Sequence, residues 1–496
     1  MITWGISANS HDAALAVYAD EKLVFASHSE RFSGRKNDPD LCPSLINYAV
    51  RHWGKPDQIY WYERPIMKSL RQMFAGQGFT FAENNVKNYL KKYGITAPVK
   101  TTSHHKSHAA AGYYTSKFTD ACVLVIDAIG EFQTLTIWQA KNNKLRQVYD
   151  VTYPHSIGLW YSAMTQRVGL KPNEEEYILM GMSAYGDPTR LYNDILKDFV
   201  WFPDLLDDGN LIYFKDNLHR GCRQWRLDLS SEQDKFDIAA ATQAVYETIF
   251  RRTLEYARRQ VNSKNLVFMG GCALNCVANS IAYEYFDELY IMPNPGDAGS
   301  AIGAVLANNP SWRDNFDKPF DPFLGYDLGH HCDNSEIVEH LLKNKICGIA
   351  RGKAEFGPRA LGNRSLVADP RNAETKNIVN EIKQRQKFRP FAPAILEEHA
   401  DKYFDIPGKL SPYMQVTGRC KNPEMFPAIV HVDGTSRVQT VADDGSPFRK
   451  LLELWYDRTG CPMLLNTSLN IKGKPMVNNY ADLKNFQAMY GVKVFN

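Results

Sequence analysis

Three short apolar runs, each ending in polar or glycine residues, constrain this chain more than any other feature. Ile2 to Ile6 gives way to the polar turn Ser7 to Asp12, Ala121 to Ile126 runs into Asp127, and Leu266 to Met269 into Gly270-Gly271. Apolar runs of this length fit buried strands, and in α/β folds ligand sites gather where such strands end. The first run is followed by two more strand-like segments, Ala13 to Tyr18 and Leu23 to Ala26, so a β-hairpin pattern is expected. Between the second and third runs, Ile238, Ala241, Val245, Ile249 and Tyr256 recur at helical spacing, which predicts a long amphipathic helix. Strands alternating with helices make an α/β domain. No internal repeat or low-complexity tract is visible in the sequence.

A length of 496 residues calls for more than one compact unit. The stretch Lys318-Pro319-Phe320-Asp321-Pro322-Phe323 is rich in proline and aromatics, and a boundary just after it gives domains 1–323 and 324–496. The second opens with an amphipathic helix near Ser335 to Leu342 and a strand at Ile346 to Ala350. With 44% hydrophobic and 23% charged residues the chain is globular, neither disordered nor collagenous. Lys plus Arg at 58 against Asp plus Glu at 55 gives a formal charge of +3, which neither demands nor excludes a polyanionic partner. The start lacks the pattern of a secretory signal, and no apolar run is long enough to span a membrane. Nine cysteines without a C-x-x-C pair read as reduced thiols of a cytoplasmic protein. The cluster Arg220 to Arg226, with Cys222, Gln224 and Trp225, reads as a solvated loop.

His104 and His108 are four residues apart, one above the other on a helix face, and could ligate one metal. A surface pair of histidines is the plainer reading, but Asp127 and Asp297 tilt the balance. Two imidazoles and two carboxylates without a thiolate suit iron(II), manganese or another six-coordinate ion better than structural zinc. Gly270, Gly271, Asn275 and Gly299 lie in two glycine runs that could admit a nucleotide, although tight packing explains such runs equally well. Cys272 and Cys276 read as core residues. His11, in the first turn, is a candidate general base. In the second unit, Arg359, Lys383, Arg385, Arg389 and Arg437, interspersed with proline, glycine and aromatics, look like a walled anion pocket, with Ser468 and Asn470 beside it in sequence pattern. Arg364 and Arg371 fit ordinary ion pairs.

The motifs H-H-x-x-H-A, I-D-A-x-G-E, G-G-C-A-L-N-C, N-P-G-D-A-G-x-A-x-G, E-F-G-P-R-A-L-G-N-R-S, F-R-P-F-A-P and N-T-S-L-N occur in this order. The chain thereby resembles the ATP-dependent O-carbamoyltransferases of nodulation-factor, cephalosporin and tobramycin biosynthesis, from His11 to Val477. The resemblance implies an actin-like (ASKHA) N-terminal domain with a metal on His104, His108, Asp127 and Asp297. It also implies a YrdC-like α/β C-terminal domain whose K-x-R and S-x-N elements fall on Lys383, Arg385, Ser468 and Asn470. In such enzymes the C-terminal domain forms carbamoyl-adenylate from carbamoyl phosphate and ATP, and the N-terminal domain passes the carbamoyl group to a hydroxyl. The ion would be Fe2+, with Mn2+ or Mg2+ as alternatives. The chain departs from the family pattern at Asn37, where a histidine is common, and before Met180-Gly181, where a lysine is. The acceptor is either a sugar or natural-product hydroxyl, or the hydroxymethyl group of a modified pyrimidine in a nucleotide or DNA. Competing readings are an actin-like nucleotide-binding scaffold without transfer activity and a tRNA threonylcarbamoylation enzyme.

Overall fold

A computed structural model describes all residues except 204–210, 317–318 and 387, so Lys318 of the boundary stretch lies outside the described residues. The chain divides into two compact units: Met1–Ser29 with Asn37–Asp321, and Glu30–Lys36 with Pro322–Asn496. Nothing in the sequence marks the excursion of Glu30–Lys36 into the second unit. Its anchors are local: an Arg31 guanidinium nitrogen donates to the Gly357 carbonyl at 2.9 Å, and Phe32 meets Tyr326 edge-on.

The first unit holds two five-stranded sheets. In one, β1 (Ile2–Ser7), β2 (Ala14–Ala19), β3 (Lys22–His28), β4 (Gln58–Trp61) and β5 (Val99–Thr101) stand in the order β3-β2-β1-β4-β5. Here α1 (Pro65–Phe74) follows β4, and α2 (His104–Thr115) follows β5. The other sheet contains β6 (Asp120–Gly130), β7 (Gln133–Lys141), β8 (Lys144–Thr152), β9 (Asn265–Met269) and β10 (Glu288–Tyr290), ordered β10-β9-β6-β7-β8. In both, the first strand pairs antiparallel with the second and parallel with the fourth. The sheets are thus built alike, although no repeat is visible in the sequence. What recurs is strand order and polarity, and short apolar strands can keep both while sharing no residue pattern.

Two helices pack between these sheets. α2 lies against β9, and α4 (Ser300–Leu306), which follows β10, lies against β1. They touch so closely that a Cβ on Gly303 would lie 1.8 Å from the Ser107 carbonyl oxygen. Any side chain there would force the helices apart. The amphipathic helix foreseen around Ile238 is α3 (Glu232–Gln260), started by a Ser231/Asp234 capping box and burying Ile238, Ala241, Val245 and Ile249. The Arg220–Arg226 segment is more tied down than a solvated loop: Trp225 packs on Phe199 and donates to Asp198, and Arg226 pairs with Asp194 and Asp228. Cys276 is buried, and burial pushes the half-covered Cys272 thiol upward, as befits packing residues.

In the second unit, α5 (Asn334–Asn344), β11 (Ile346–Ala350), β12 (Arg364–Ala368), α6 (Ala373–Lys383), β13 (Ala392–Leu396), β14 (Thr435–Arg437), β15 (Gln439–Val441), α7 (Pro447–Thr459), β16 (Met463–Ser468) and β17 (Val494–Phe495) follow in turn. Six of the strands form a mixed sheet, β15-β13-β16-β12-β11-β17. The protein is a mixed α/β fold. Among the described residues no helix is long and apolar enough to cross a membrane.

Candidate functional site

Four side chains from four places in the sequence converge at the centre of the first unit. His104 and His108 come from the first turns of α2, Asp127 from β6, and Asp297 from the short 3-10 helix Asp297–Gly299 that leads into α4. The β6–β7 ladder shifts register between Ile126 and Gly130, which takes Asp127 out of regular pairing. One ligand atom from each of the four lies within 4.8 Å of every other. His104 Nε2 and His108 Nε2 are 3.1 Å apart; Asp127 Oδ2 lies 3.3 and 3.1 Å from them, and Asp297 Oδ1 lies 3.3 Å from each.

These separations can be compared with those around a cation. Ligands about 2.1 Å from a common centre stand roughly 3.0 Å apart at octahedral right angles and roughly 3.4 Å apart in a tetrahedron. The observed distances fall in that range. The donor chemistry agrees: His108 Nδ1–H donates to the Pro295 carbonyl at 3.1 Å, which leaves Nε2 as a lone pair facing the cluster. Asp127 turns Oδ1 to the amide of Ala128, 2.8 Å away, and Oδ2 to the imidazoles. Burial alone would lower the His104 pKa, but Asp297, Asp127 and Glu63 raise it well above the usual imidazole range. Burial would raise Asp127 in turn, yet the two histidines hold it well below the carboxylate range. The residues fit a divalent ion with mixed nitrogen and oxygen ligands.

Around the four lie residues the sequence did not single out. Glu63 stands 3.9 Å from His104 Nδ1 and is paired at 2.6 Å with buried Lys68. Glu131 accepts from the His104 amide at 3.3 Å and is clasped by Arg64 at 2.5 Å. Buried His105 contacts the Thr136 hydroxyl at 3.0 Å; burial and the two neighbouring histidines push its pKa well below the usual range. Only the carboxylate–histidine spacing of known metal centres could have hinted at these groups.

His11 is exposed on the β1–β2 turn. The next residue, Asp12, is sensitive to the charges of both His11 and Asp297, which brings the turn to the cluster. Of the four expected nucleotide residues, each has a local duty. Gly270 adopts φ +90, a Cβ there would lie 2.2 Å from the Ile126 oxygen, and its amide donates to the same Pro295 carbonyl that holds His108. The Gly271 amide approaches Asp127 Oδ1 at 3.4 Å, Asn275 caps the following short helix and pairs with Gln243, and Gly299 presses on the main chain of Asn294.

In the second unit, the K-x-R and S-x-N elements come together. Lys383, at the end of α6, donates to the Ser468 carbonyl at 2.6 Å, to its hydroxyl at 3.0 Å, and to the Asn470 side-chain oxygen. Burial, with Arg385, Arg389 and Lys36 nearby, drives its pKa well below the ordinary lysine value. The Arg385 guanidinium carbon sits over the Phe391 ring, 4.0 Å from its centre, and Arg385 donates to Asn380 at 3.0 Å. Arg437 ends β14 with a buried Nε that has no hydrogen-bond partner. Arg359 is half-exposed in the loop between Glu355 and Arg364. That loop is pinned by Glu355, whose Oε1 accepts from the amides of Leu361, Asn363 and Arg364 at 2.8, 2.9 and 3.1 Å. Arg364 is structural, its guanidinium spent on the carbonyls of Arg351, Gly352, Asn363 and Tyr326, and Arg371 pairs with Asp369.

Comparison with known proteins gives matches over most of the chain. Residues 59–306 match the family description "Carbamoyltransferase N-terminus" and residues 338–495 "Carbamoyltransferase C-terminus". An uncharacterized protein of Synechocystis is 33% identical, over 95% of this chain and 92% of that one. Nodulation protein NolNO of Sinorhizobium fredii is 29% identical, over 95% and 76%. A 3'-hydroxymethylcephem-O-carbamoyltransferase of Amycolatopsis lactamdurans is 26% identical, over 95% and 94%.

Proposed function

Since the chain belongs to the carbamoyltransferase family, and is therefore a transferase, we propose that it is an ATP-dependent O-carbamoyltransferase working in two half-reactions. The first falls to the second unit, taken as YrdC-like. Lys383, Arg385, Arg389, Arg359 and Arg437 hold carbamoyl phosphate and the phosphates of ATP, while Ser468 and Asn470 orient the nucleotide. Water hydrolyses carbamoyl phosphate to carbamate and inorganic phosphate; an oxygen of the carbamate then bonds to the α-phosphorus of ATP as the bond to pyrophosphate breaks, leaving carbamoyl-adenylate. The observation that carries this reading is the setting of Lys383, a buried amine whose partners are the neutral oxygens of Ser468 and Asn470, with further cations around it. Such an arrangement is costly until an anion joins it.

The second half-reaction falls to the first unit, taken as actin-like; its two sheets of like order and polarity support that assignment. Gly270, Gly271, Asn275 and Gly299 line the nucleotide. The acceptor oxygen attacks the carbamoyl carbon, His11 takes the hydroxyl proton, and the bond between the carbamoyl carbon and the AMP oxygen breaks. A divalent ion held by His104, His108, Asp127 and Asp297, with Fe2+ favoured over Mn2+ or Mg2+, would supply positive charge opposite the phosphate of AMP. The acceptor is a sugar or natural-product hydroxyl or the hydroxymethyl group of a pyrimidine in nucleotide or DNA. The Amycolatopsis relative, named for a hydroxymethyl cephem, supports a hydroxymethyl group. Reaction in the cytoplasm, where ATP and carbamoyl phosphate are made, suits this chemistry.

The test is a single incubation of protein, ATP, carbamoyl phosphate, iron(II) or manganese(II), and a panel of alcohols. Pyrophosphate should appear only with carbamoyl phosphate present, and one alcohol should gain about 43 Da, the carbamoyl group replacing hydrogen, as transfer through an activated intermediate requires. Absence of carbamoyl-phosphate-dependent pyrophosphate with every metal would leave the nucleotide-binding scaffold as the better account.

A further inference from the structure

The first unit exposes several apolar side chains within one short stretch of chain. Along α1 and the segment after it, Ile66, Phe74 and Phe79 are 66%, 69% and 80% exposed. Exposed apolar side chains that gather into a patch can mark a binding surface. Phe74 meets Phe132 and Tyr153, each at a ring separation of 6.3 Å, and Tyr153 meets His219 edge-on at 5.8 Å.

The face is also cationic. Arg71 precedes Phe74 by three residues on α1; it donates to Gln77 at 2.9 Å, and its buried Nε has no hydrogen-bond partner. Burial lowers the Arg71 pKa, against the pull of Glu63 and Tyr153, and burial with Arg71 and Arg220 lowers that of His219, so these groups lie close enough to affect one another. The neighbouring carboxylates are already engaged, Glu63 by Lys68 and Glu131 by Arg64. Arg71 therefore has positive charge to spare for a ligand.

Two links tie this patch to the candidate metal donors. Glu63 reaches within 3.9 Å of His104 Nδ1 while affecting Arg71, and Glu131, next in sequence to Phe132, accepts from the His104 amide. We propose that this patch is the acceptor subsite of the carbamoyl-transfer reaction and takes a ring-bearing alcohol that carries a phosphate. The ring packs on the Phe74 face and the phosphate accepts from Arg71, whose planar fork suits two oxygens at once. The inference rests on the carbamoyl-transfer reading.

Matched acceptors test it: a hydroxymethyl-pyrimidine nucleoside monophosphate against its nucleoside, a sugar phosphate against its sugar, and duplex DNA bearing the same base. The phosphorylated member of a small-molecule pair should show a KM about tenfold lower, and Arg71→Gln should erase that preference, since an arginine–phosphate pair is among the stronger charge-assisted contacts. Damage to the fold alone would weaken both members equally and keep their ratio. Equal use of both members, or a ratio unchanged in Arg71→Gln, would overturn the subsite; so would carbamoylation of duplex DNA alone. If carbamoyl-phosphate-dependent pyrophosphate never forms, the transfer reading has failed. The patch is then decided by equilibrium binding of the nucleoside monophosphate, which must exceed that of the nucleoside and fall in Arg71→Gln.

Discussion

His28 Nδ1 lies 3.0 Å from Asp12 Oδ1, and its other ring nitrogen faces the Asn294 amide nitrogen at 2.9 Å. The Asn294 amide can only donate, so His28 Nε2 accepts and Nδ1–H points at the carboxylate. Asp12, with its backbone in the left-handed region at φ +61, is thereby fixed beside His11. His28→Ala should slow carbamoyl transfer by about tenfold or more, the worth of one buried hydrogen bond to a charged group. Pyrophosphate release, measured in the same samples, should not change. Equal loss of both steps would show that His28 serves folding only.

Metal binding should appear as added stability. At a hundredfold excess over Kd a ligand of the native state adds about 2.7 kcal/mol, a rise of several degrees in Tm. His104→Ala and Asp127→Ala should each abolish the rise with iron(II) or manganese(II). The signs of the pKa shifts give the pH dependence: His104 is raised, so it keeps a proton that the metal must displace, and apparent affinity should climb as pH rises through that value. An affinity flat between pH 6 and 9, titrated by calorimetry, would count against imidazole ligands.

Lys383 makes the opposite prediction about protons. Its pKa is depressed, so between the depressed value and the ordinary one near 10.5 the folded chain binds fewer protons than the unfolded chain, and stability increases with pH across that window. An anion in the pocket reverses the depression. Binding of inorganic phosphate near pH 9 should take up protons, seen as a binding enthalpy that changes with the ionisation enthalpy of the buffer. Lys383→Met should remove both the uptake and pyrophosphate release.

Gly303→Ala should be disruptive beyond its size. The added Cβ would collide with the Ser107 carbonyl, and overpacking of this kind costs about 1–3 kcal/mol. Because α2 also carries His104 and His108, metal affinity should fall along with Tm. Denaturant unfolding with and without metal would separate the two effects.

Much of this was legible in the sequence because chemistry there is local. His104 and His108 share a helix face, Asp127 closes an apolar run, and Lys383 is the first residue of a short motif. What could not be read is what long-range packing decides. Glu63, Glu131, His28 and Asn294 matter only through neighbours many residues away. The glycines Gly270 and Gly299 showed the reverse difficulty: their pattern suggested a ligand, while each also meets a steric demand of the chain itself. The likeness of the two sheets resides in hydrogen-bond order, which side chains do not spell.

That likeness bears on ancestry. The half of the first unit that ends with α2 supplies both imidazoles, and the half that begins with β6 supplies both carboxylates. Neither half by itself has the four donors. If the halves descend from one forebear, the centre was invented after they were joined, and an ion seated there stitches the two together: whatever opens one half must also let go of the ion.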